Sequence, residues 1–178
     1  FYLKTDGANS SKPLLVFLDG SGNSPLFRYV KDKNSVMIMQ AVSAPILDNL
    51  NQYSLLLIGK PGVPFADTVF VNDLTSLRAS QLEKVNPTYD ALLSLDWRVK
   101  ATNLAINEVT KNRDTPFSQV VVVGYSEGAR VASKVALLNK KVNKVACLVS
   151  GGLNQFYDFI IEERNKAKKL QQSKSTDG

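Results

Sequence analysis

The sequence has no histidine, a single cysteine and a single tryptophan in its 178 residues. The absence of histidine excludes an imidazole base or an imidazole metal ligand within these residues, and imidazole is the usual base for a serine nucleophile. With one cysteine, Cys147, the chain cannot form an internal disulfide or a cysteine-based metal site. Because Cys147 lies in the apolar run Val145–Val149, we expect a buried structural thiol there.

Long hydrophobic runs are also absent. No apolar run approaches the roughly 20 residues that a membrane-spanning helix needs, so the sequence predicts no transmembrane segment. The hydrophobic content of 44% is still enough for the core of one globular domain. The net charge of +6 raises the question of nucleic-acid binding. The basic residues are scattered, however, and their densest group, residues 164–174, fits a solvated helix face, so we expect no nucleic-acid partner.

Short apolar runs predict the strands of a parallel sheet. They are continuous rather than alternating, which is typical of parallel strands covered on both faces. Each run ends in or near glycine-rich sequence, and open α/β sheets place their sites at the carboxyl ends of strands. The four runs are Leu14–Leu18, Leu55–Ile58, Val120–Val123 and Val145–Val149, and Phe1–Lys4 fits the end of an edge strand.

Helical spacing of apolar residues predicts helices between these strands. One helix runs between Leu95 and Lys111, and another follows Ser126. We interpret Val36–Met39 as ambiguous but compatible with a short strand, and residues 65–93 as a loop with short helical turns. The predicted apolar positions of the two helices are Trp97, Ala101, Leu104, Ala105 and Val109, and then Val131, Val135 and Leu138.

The alternation of strands and helices predicts an α/β fold, with a mostly parallel sheet between two helical layers. We expect residues 1–152 to form this core. Residues 153–178 combine an amphipathic pattern with a polar end, and we interpret them as the start of a cap helix or as a C-terminal tail.

The most informative motif is Gly124-Tyr125-Ser126-Glu127-Gly128, which lies between a valine run and a helical pattern. In this strand-to-helix context, G-x-S-x-G predicts a nucleophile elbow with the serine hydroxyl exposed above the start of a helix. Glycines on both sides of the serine let strand and helix approach closely. The alternative is that Ser126 is an ordinary residue capping the helix.

The order of strand, glycine loop, strand, Gly59-Lys60-Pro61-Gly62 loop, helix and elbow resembles the α/β-hydrolase family. The resemblance covers residues 1–152, which correspond to the N-terminal half to two-thirds of that family's catalytic domain. The loop Asp19-Gly20-Ser21-Gly22 resembles the family's oxyanion loop, with aspartate where histidine is customary. The resemblance implies a serine esterase or peptidase-like hydrolase acting on a small ester or a peptide-like substrate, with no metal or organic cofactor.

This resemblance assigns roles to four residues. Ser126 is the nucleophile that forms an acyl-enzyme. The backbone N–H groups of Glu127 and Ser21 donate to the oxyanion, and Gly20 permits the close approach of the loop. For Ser21 the alternative is an ordinary turn.

Other polar residues near these motifs have less specific interpretations. Asp19 either orients the loop through its carboxylate or is a simple turn residue. We expect the Glu127 side chain to be a solvated carboxylate, with a contact to Arg130 or to a charged substrate as the alternative. Lys60 lies where it could line the mouth of the site, and a serine–lysine pair has little support. Asp158 follows the fourth strand, where some family members have the triad acid, and we interpret it as a surface carboxylate.

The family places its acid and its histidine after the nucleophile, whereas this sequence has no histidine. Two explanations follow. We expect the sequence to be a fragment whose missing part carries the last strands and the histidine. The alternative is a catalytically inactive α/β-hydrolase-like binding or interaction module.

Overall fold

A computed structural model describes residues 1–5, 11–77, 82, 85–111, 113–149, 160 and 163–165. These residues form a mixed α/β structure with one five-stranded and one three-stranded sheet. The elements are β1 (Tyr2–Lys4), β2 (Leu14–Leu18), β3 (Phe27–Lys31), β4 (Val36–Gln40), α1 (Ala44–Asp48), β5 (Ser54–Leu57), β6 (Ala66–Phe70), a 3₁₀ turn (Leu74–Ser76), α2 (Pro87–Leu92), α3 (Leu95–Thr110), β7 (Val120–Tyr125), α4 (Glu127–Leu138) and β8 (Lys144–Leu148).

The five-stranded sheet has the order β1-β5-β2-β7-β8. Strands β5, β2, β7 and β8 are parallel, and β1 is antiparallel at the edge beside β5. The predicted α/β class, the four parallel strands and the edge strand at the N-terminus are therefore confirmed. Leu18, the last residue of β2, lies opposite Gly124 of β7. This register brings the loop after β2 and the turn after β7 to the same end of the sheet.

The inner strands are continuously apolar because the two faces of the sheet contribute to separate cores. In β2, Val16 and Leu18 point to the face covered by α3 and α4, whereas Leu15 and Phe17 point to the opposite face. The opposite face is covered by α1 and by the start of β3. Alternate residues of β5 and β7 divide in the same way, with Leu56 and Val122 in the first core and Leu57 and Val123 in the second.

The three-stranded sheet, with the order β4-β3-β6, was not predicted. The interpretation of residues 65–93 as a loop with helical turns is wrong for Ala66–Phe70, which pairs in parallel with Phe27–Lys31. The apolar pattern gives no signal for this pair, because an inward position on each strand is charged. Arg28 and Asp67 lie opposite one another, and Arg28 Nε donates to Asp67 Oδ1 at 2.9 Å. The strand interpretation of Val36–Met39 is confirmed by β4.

Several predictions of burial are wrong. Leu138, a predicted apolar position of the helix after Ser126, is 63% exposed. The fourth apolar run was predicted to be covered on both faces, but Val145 is 44% and Val149 is 76% exposed. Leu104 is 70% exposed, because the buried face of α3 instead runs through Arg98, Thr102 and Ile106. Cys147 is exposed rather than buried. Within the described residues its strand, β8, lies at the edge of the five-stranded sheet opposite β1, so it has a strand neighbour on one side only. The Cys147 thiol faces α4, where its Sγ lies 3.4 Å from Ser133 Oγ.

Apart from residues 160 and 163–165, which are helical, the segment 153–178 and its Asp158 lie outside the described residues, so its interpretation as a cap or tail stays a prediction. Helix α3, with 16 residues, is the longest described helix. Among the helices that the structure describes, none is long and apolar enough to cross a membrane.

Helix α3 offers a matched pair of substitutions that tests the assignment of its buried face. Ile106→Ala removes a fully buried side chain from the core and should lower the free energy of unfolding by about 2–5 kcal/mol. Leu104→Ala, two residues away on the exposed face, should change it by less than about 0.5 kcal/mol. Urea denaturation of both variants and the wild type measures the difference. Equal losses would contradict the assignment.

Candidate active site

Ser126 has an unusual backbone conformation at the junction of β7 and α4. Its φ is 52° and its ψ is −120°, in a region that residues with a side chain rarely adopt. Its N–H donates to the carbonyl oxygen of Leu148 at 2.9 Å. Ser126 occupies the position before the helix, but its hydroxyl makes no capping hydrogen bond. Ser94, by contrast, caps α3 by accepting from the N–H of Trp97 at 3.0 Å. The ordinary capping interpretation therefore does not describe Ser126.

The glycines on either side of Ser126 lie where no side chain fits. A Cβ on Gly124 would lie 2.2 Å from the carbonyl oxygen of Gly128. A Cβ on Gly128 would lie 2.2 Å from the carbonyl oxygen of Leu18 and 2.5 Å from that of Asp19. The backbone of α4 is thus in direct contact with the ends of β2 and β7. This contact places the loop after β2 against the first turn of α4.

The loop Asp19–Gly22 passes directly beside Ser126. A Cβ on Gly20 would lie 3.2 Å from Ser126 Cβ and 3.7 Å from its Oγ, so Gly20 borders the serine. Ser21 is exposed next to it. Among the described residues, the N–H groups of Ser21 and Glu127 have no hydrogen-bond partner. Both predicted oxyanion donors are therefore unpaired, and Glu127 owes this to its place in the first turn of a helix.

Asp19, the first residue of this loop, is 6% exposed and lies in an ion-pair cluster. Its Oδ2 lies 2.7 Å from Lys60 Nζ, and its Oδ1 lies 2.9 Å from Arg98 Nη2. Arg98 Nη2 also donates to the backbone carbonyl of Asp19 at 2.8 Å. Of the two interpretations of Asp19, these contacts favour a carboxylate that orients the loop over a simple turn residue.

Lys60 is buried, and its ammonium group points into the loop. Besides pairing with Asp19, its Nζ donates to the carbonyl oxygen of Gly22 at 2.7 Å. Burial lowers the pKa of Lys60 from its usual value, and the Asp19 carboxylate opposes this shift. At the same end of the loop, burial raises the pKa of Tyr89, and the charge of Glu127 raises it further. A backbone hydrogen bond from Gly22 to the Tyr89 oxygen acts in the opposite direction.

The Glu127 side chain does not have the solvated position that we expected. It is 19% exposed, and its Oε2 lies 3.7 Å from Arg98 Nη1. Arg98 was missed by the sequence reasoning, because an arginine in an amphipathic helix usually belongs to the exposed face. The available signal was its spacing: Arg98, Thr102 and Ile106 lie four residues apart and form the buried stripe of α3. Arg98 Nη1 is itself buried without a hydrogen-bond partner.

A cavity of about 440 Å³ opens beside the elbow, lined by Gly20, which contacts Ser126, and by Tyr125, which precedes Ser126 in the chain. Its charged lining residues, Asp19 and Lys60, neutralise one another. Serine and glutamine residues complete its polar lining, and of these the sequence reasoning identified only Ser21. These residues are Ser21, Ser24, Gln40 and Ser43, and the apolar lining includes Phe17 and Leu148.

No metal site is evident in the part of the chain that the structure describes, where no three histidine, cysteine or carboxylate side chains come together. Comparisons of the sequence and structure with protein-family models, with curated proteins and with solved structures give no match. The resemblance to α/β-hydrolases therefore stays an expectation from the sequence motifs.

The close backbone contact at the elbow predicts a large difference between two glycine substitutions. Gly128→Ala puts a Cβ into the carbonyl oxygens of β2 and should cost about 3 kcal/mol or more of stability. Gly22→Ala is the matched control: Gly22 has φ +90° but no atom near its Cβ position, so only backbone strain of about 1–2 kcal/mol is expected. Urea denaturation compares the two, and a smaller loss for Gly128→Ala would refute the steric argument.

Proposed function

We propose that this chain carries the nucleophile of a serine hydrolase of the α/β-hydrolase type, which cleaves an ester or amide through an acyl-enzyme on Ser126. The observation that carries the proposal is the conformation of Ser126. Its backbone is strained, its hydroxyl is not used to cap the helix, and a cavity opens next to it. A serine that only connected a strand to a helix would need none of these features.

In the proposed reaction, Ser126 Oγ attacks the carbonyl carbon of the substrate and loses its proton to a base. The oxygen of the tetrahedral intermediate becomes negative and accepts hydrogen bonds from the N–H groups of Ser21 and Glu127. Collapse of the intermediate breaks the bond to the leaving group, which takes the proton from the base and departs as the alcohol or amine. The acyl group stays on Ser126, and water then removes it as the carboxylic acid and restores the serine hydroxyl. Each oxyanion donor typically contributes about 3 kcal/mol to the transition state.

These 178 residues do not supply the base as an imidazole, since the sequence has no histidine. Lys60 is a poor substitute, because its ammonium group donates to Asp19 and to the carbonyl oxygen of Gly22. The proposal therefore requires a base from outside these residues.

The absence of histidine favours a second candidate, a catalytically inactive α/β-hydrolase-like module that binds a ligand or a protein. This candidate retains the elbow and the cavity but assigns no covalent chemistry to Ser126. The two candidates differ in whether Ser126 reacts with an electrophile that mimics an ester.

A fluorophosphonate probe applied to the natural protein at its full length tests the proposal. We expect mass spectrometry to find the phosphonyl group on Ser126, because an activated serine attacks phosphorus as it attacks a carbonyl. Ser126→Ala should abolish labelling, a loss of at least about 10³-fold in rate. Ser133→Ala, on the same helix, should leave it unchanged. A folded protein with no label on Ser126 would favour the inactive module.

A further inference from the structure

Two buried cationic side chains, Lys60 and Arg98, contact the loop Asp19–Gly22. Lys60 spans the loop, pairing with the Asp19 carboxylate at its start and donating to the carbonyl oxygen of Gly22 at its end, both at 2.7 Å. With both ends of the loop attached to one ammonium group, the two residues between them, Gly20 and Ser21, have little freedom to move. Gly20 borders Ser126, and Ser21 carries the proposed oxyanion donor.

Arg98 connects the same loop to the other side of the elbow. Its Nη2 donates both to the Asp19 carboxylate and to the Asp19 backbone carbonyl, at 2.9 and 2.8 Å. Its Nη1 lies 3.7 Å from the carboxylate of Glu127, whose N–H is the second proposed donor. One guanidinium on α3 therefore contacts Asp19, two residues before the Ser21 donor, and Glu127, which carries the other donor. Its rigid planar shape keeps those contacts at a constant separation.

The cluster is balanced in charge, which lets it act as a rigid support. Asp19 and Glu127 supply two negative charges, and Lys60 and Arg98 supply two positive ones. Because these side chains are buried, each charge depends on its counter-charge: leaving one of them unpaired would cost free energy of folding. Movement of the loop would separate Asp19 from both cations at once, so the cluster resists it.

We propose that Arg98 and Lys60 are positioning residues that hold the Ser21 donor at its distance from Ser126 and from Glu127. They act through the loop and through Glu127. This inference rests on the proposed function of Ser126, but it also predicts a property of the loop that is independent of catalysis.

The test compares substitutions inside the cluster with one outside it. Lys60→Met and Arg98→Met each remove one cation and retain most of the side-chain volume. Because either variant leaves an unbalanced buried charge, the double substitution Asp19→Asn with Lys60→Met provides a balanced version that should fold. Lys134→Met is the control, since it removes an exposed ion pair between Lys134 and Asp96 on helices α4 and α3.

Two readouts separate positioning from general stability. The first is inactivation by the fluorophosphonate, where we expect the maximal rate to fall about 10- to 100-fold in the cluster variants, with the probe's half-saturating concentration nearly unchanged. The second is NMR relaxation of the backbone N–H groups of Gly20 and Gly22. Their order parameters should fall from about 0.85 toward 0.6. Lys134→Met should match the wild type in both.

The outcomes distinguish this inference from the function on which it rests. Folded cluster variants with wild-type inactivation rates and a rigid loop would overturn the inference while leaving Ser126 as the nucleophile. No labelling of the wild-type protein, with a loop that loosens in the variants, would overturn the hydrolase proposal and support the holding of the loop by Arg98 and Lys60.

Discussion

The direct contact between the backbone of α4 and the ends of β2 and β7 determines how this end of the molecule is arranged. A helix normally packs on a sheet through side chains, which keep the two backbones well apart. Here Gly128 lies against the carbonyl oxygens of Leu18 and Asp19, and Gly124 lies against Gly128. The first turn of the helix therefore meets the first residue of the loop after β2. Every contact proposed for the site, including the approach of Gly20 to Ser126, depends on this short distance.

Such close packing buries polar backbone groups, which then need hydrogen-bond partners within the protein. The charge cluster supplies these partners. The carbonyl oxygen of Asp19 is approached by Gly128 and accepts a hydrogen bond from Arg98. At the more exposed end of the loop, the carbonyl oxygen of Gly22 accepts a hydrogen bond from the buried ammonium group of Lys60. Buried carbonyl groups without such donors would weaken the fold. The same side chains that satisfy the loop also restrain it, so the stability of this region and the geometry of the proposed oxyanion site have a common origin.

The features predicted correctly from the sequence are those that depend on the local pattern of apolar residues and glycines. Continuous apolar runs identified the parallel strands, and the glycines around Ser126 identified the tight turn. What the sequence did not predict depends on contacts between residues far apart in sequence. Arg28 and Asp67 interrupt the apolar pattern of β3 and β6, so neither strand is recognised from its own sequence. Their burial is explained only by the ion pair that they form with each other. In the same way Arg98 is recognised as a buried residue only once Asp19, 79 positions earlier, is seen beside it. Exposure of Cys147 follows from the edge position of its strand, which an apolar run alone does not reveal.

The conformation of Ser126 bears on the choice between an enzyme and an inactive module. Holding a residue with a Cβ at φ 52° costs on the order of 1–3 kcal/mol, which glycine would largely avoid at the same position. The serine hydroxyl does not recover this energy by capping the helix, since it makes no capping hydrogen bond. A binding module would gain nothing from the strain unless a ligand contacted the hydroxyl. A nucleophile gains directly, because the strained turn leaves its hydroxyl free of a capping hydrogen bond. The energetic argument therefore favours the proposed hydrolase, which would take its base from outside these residues.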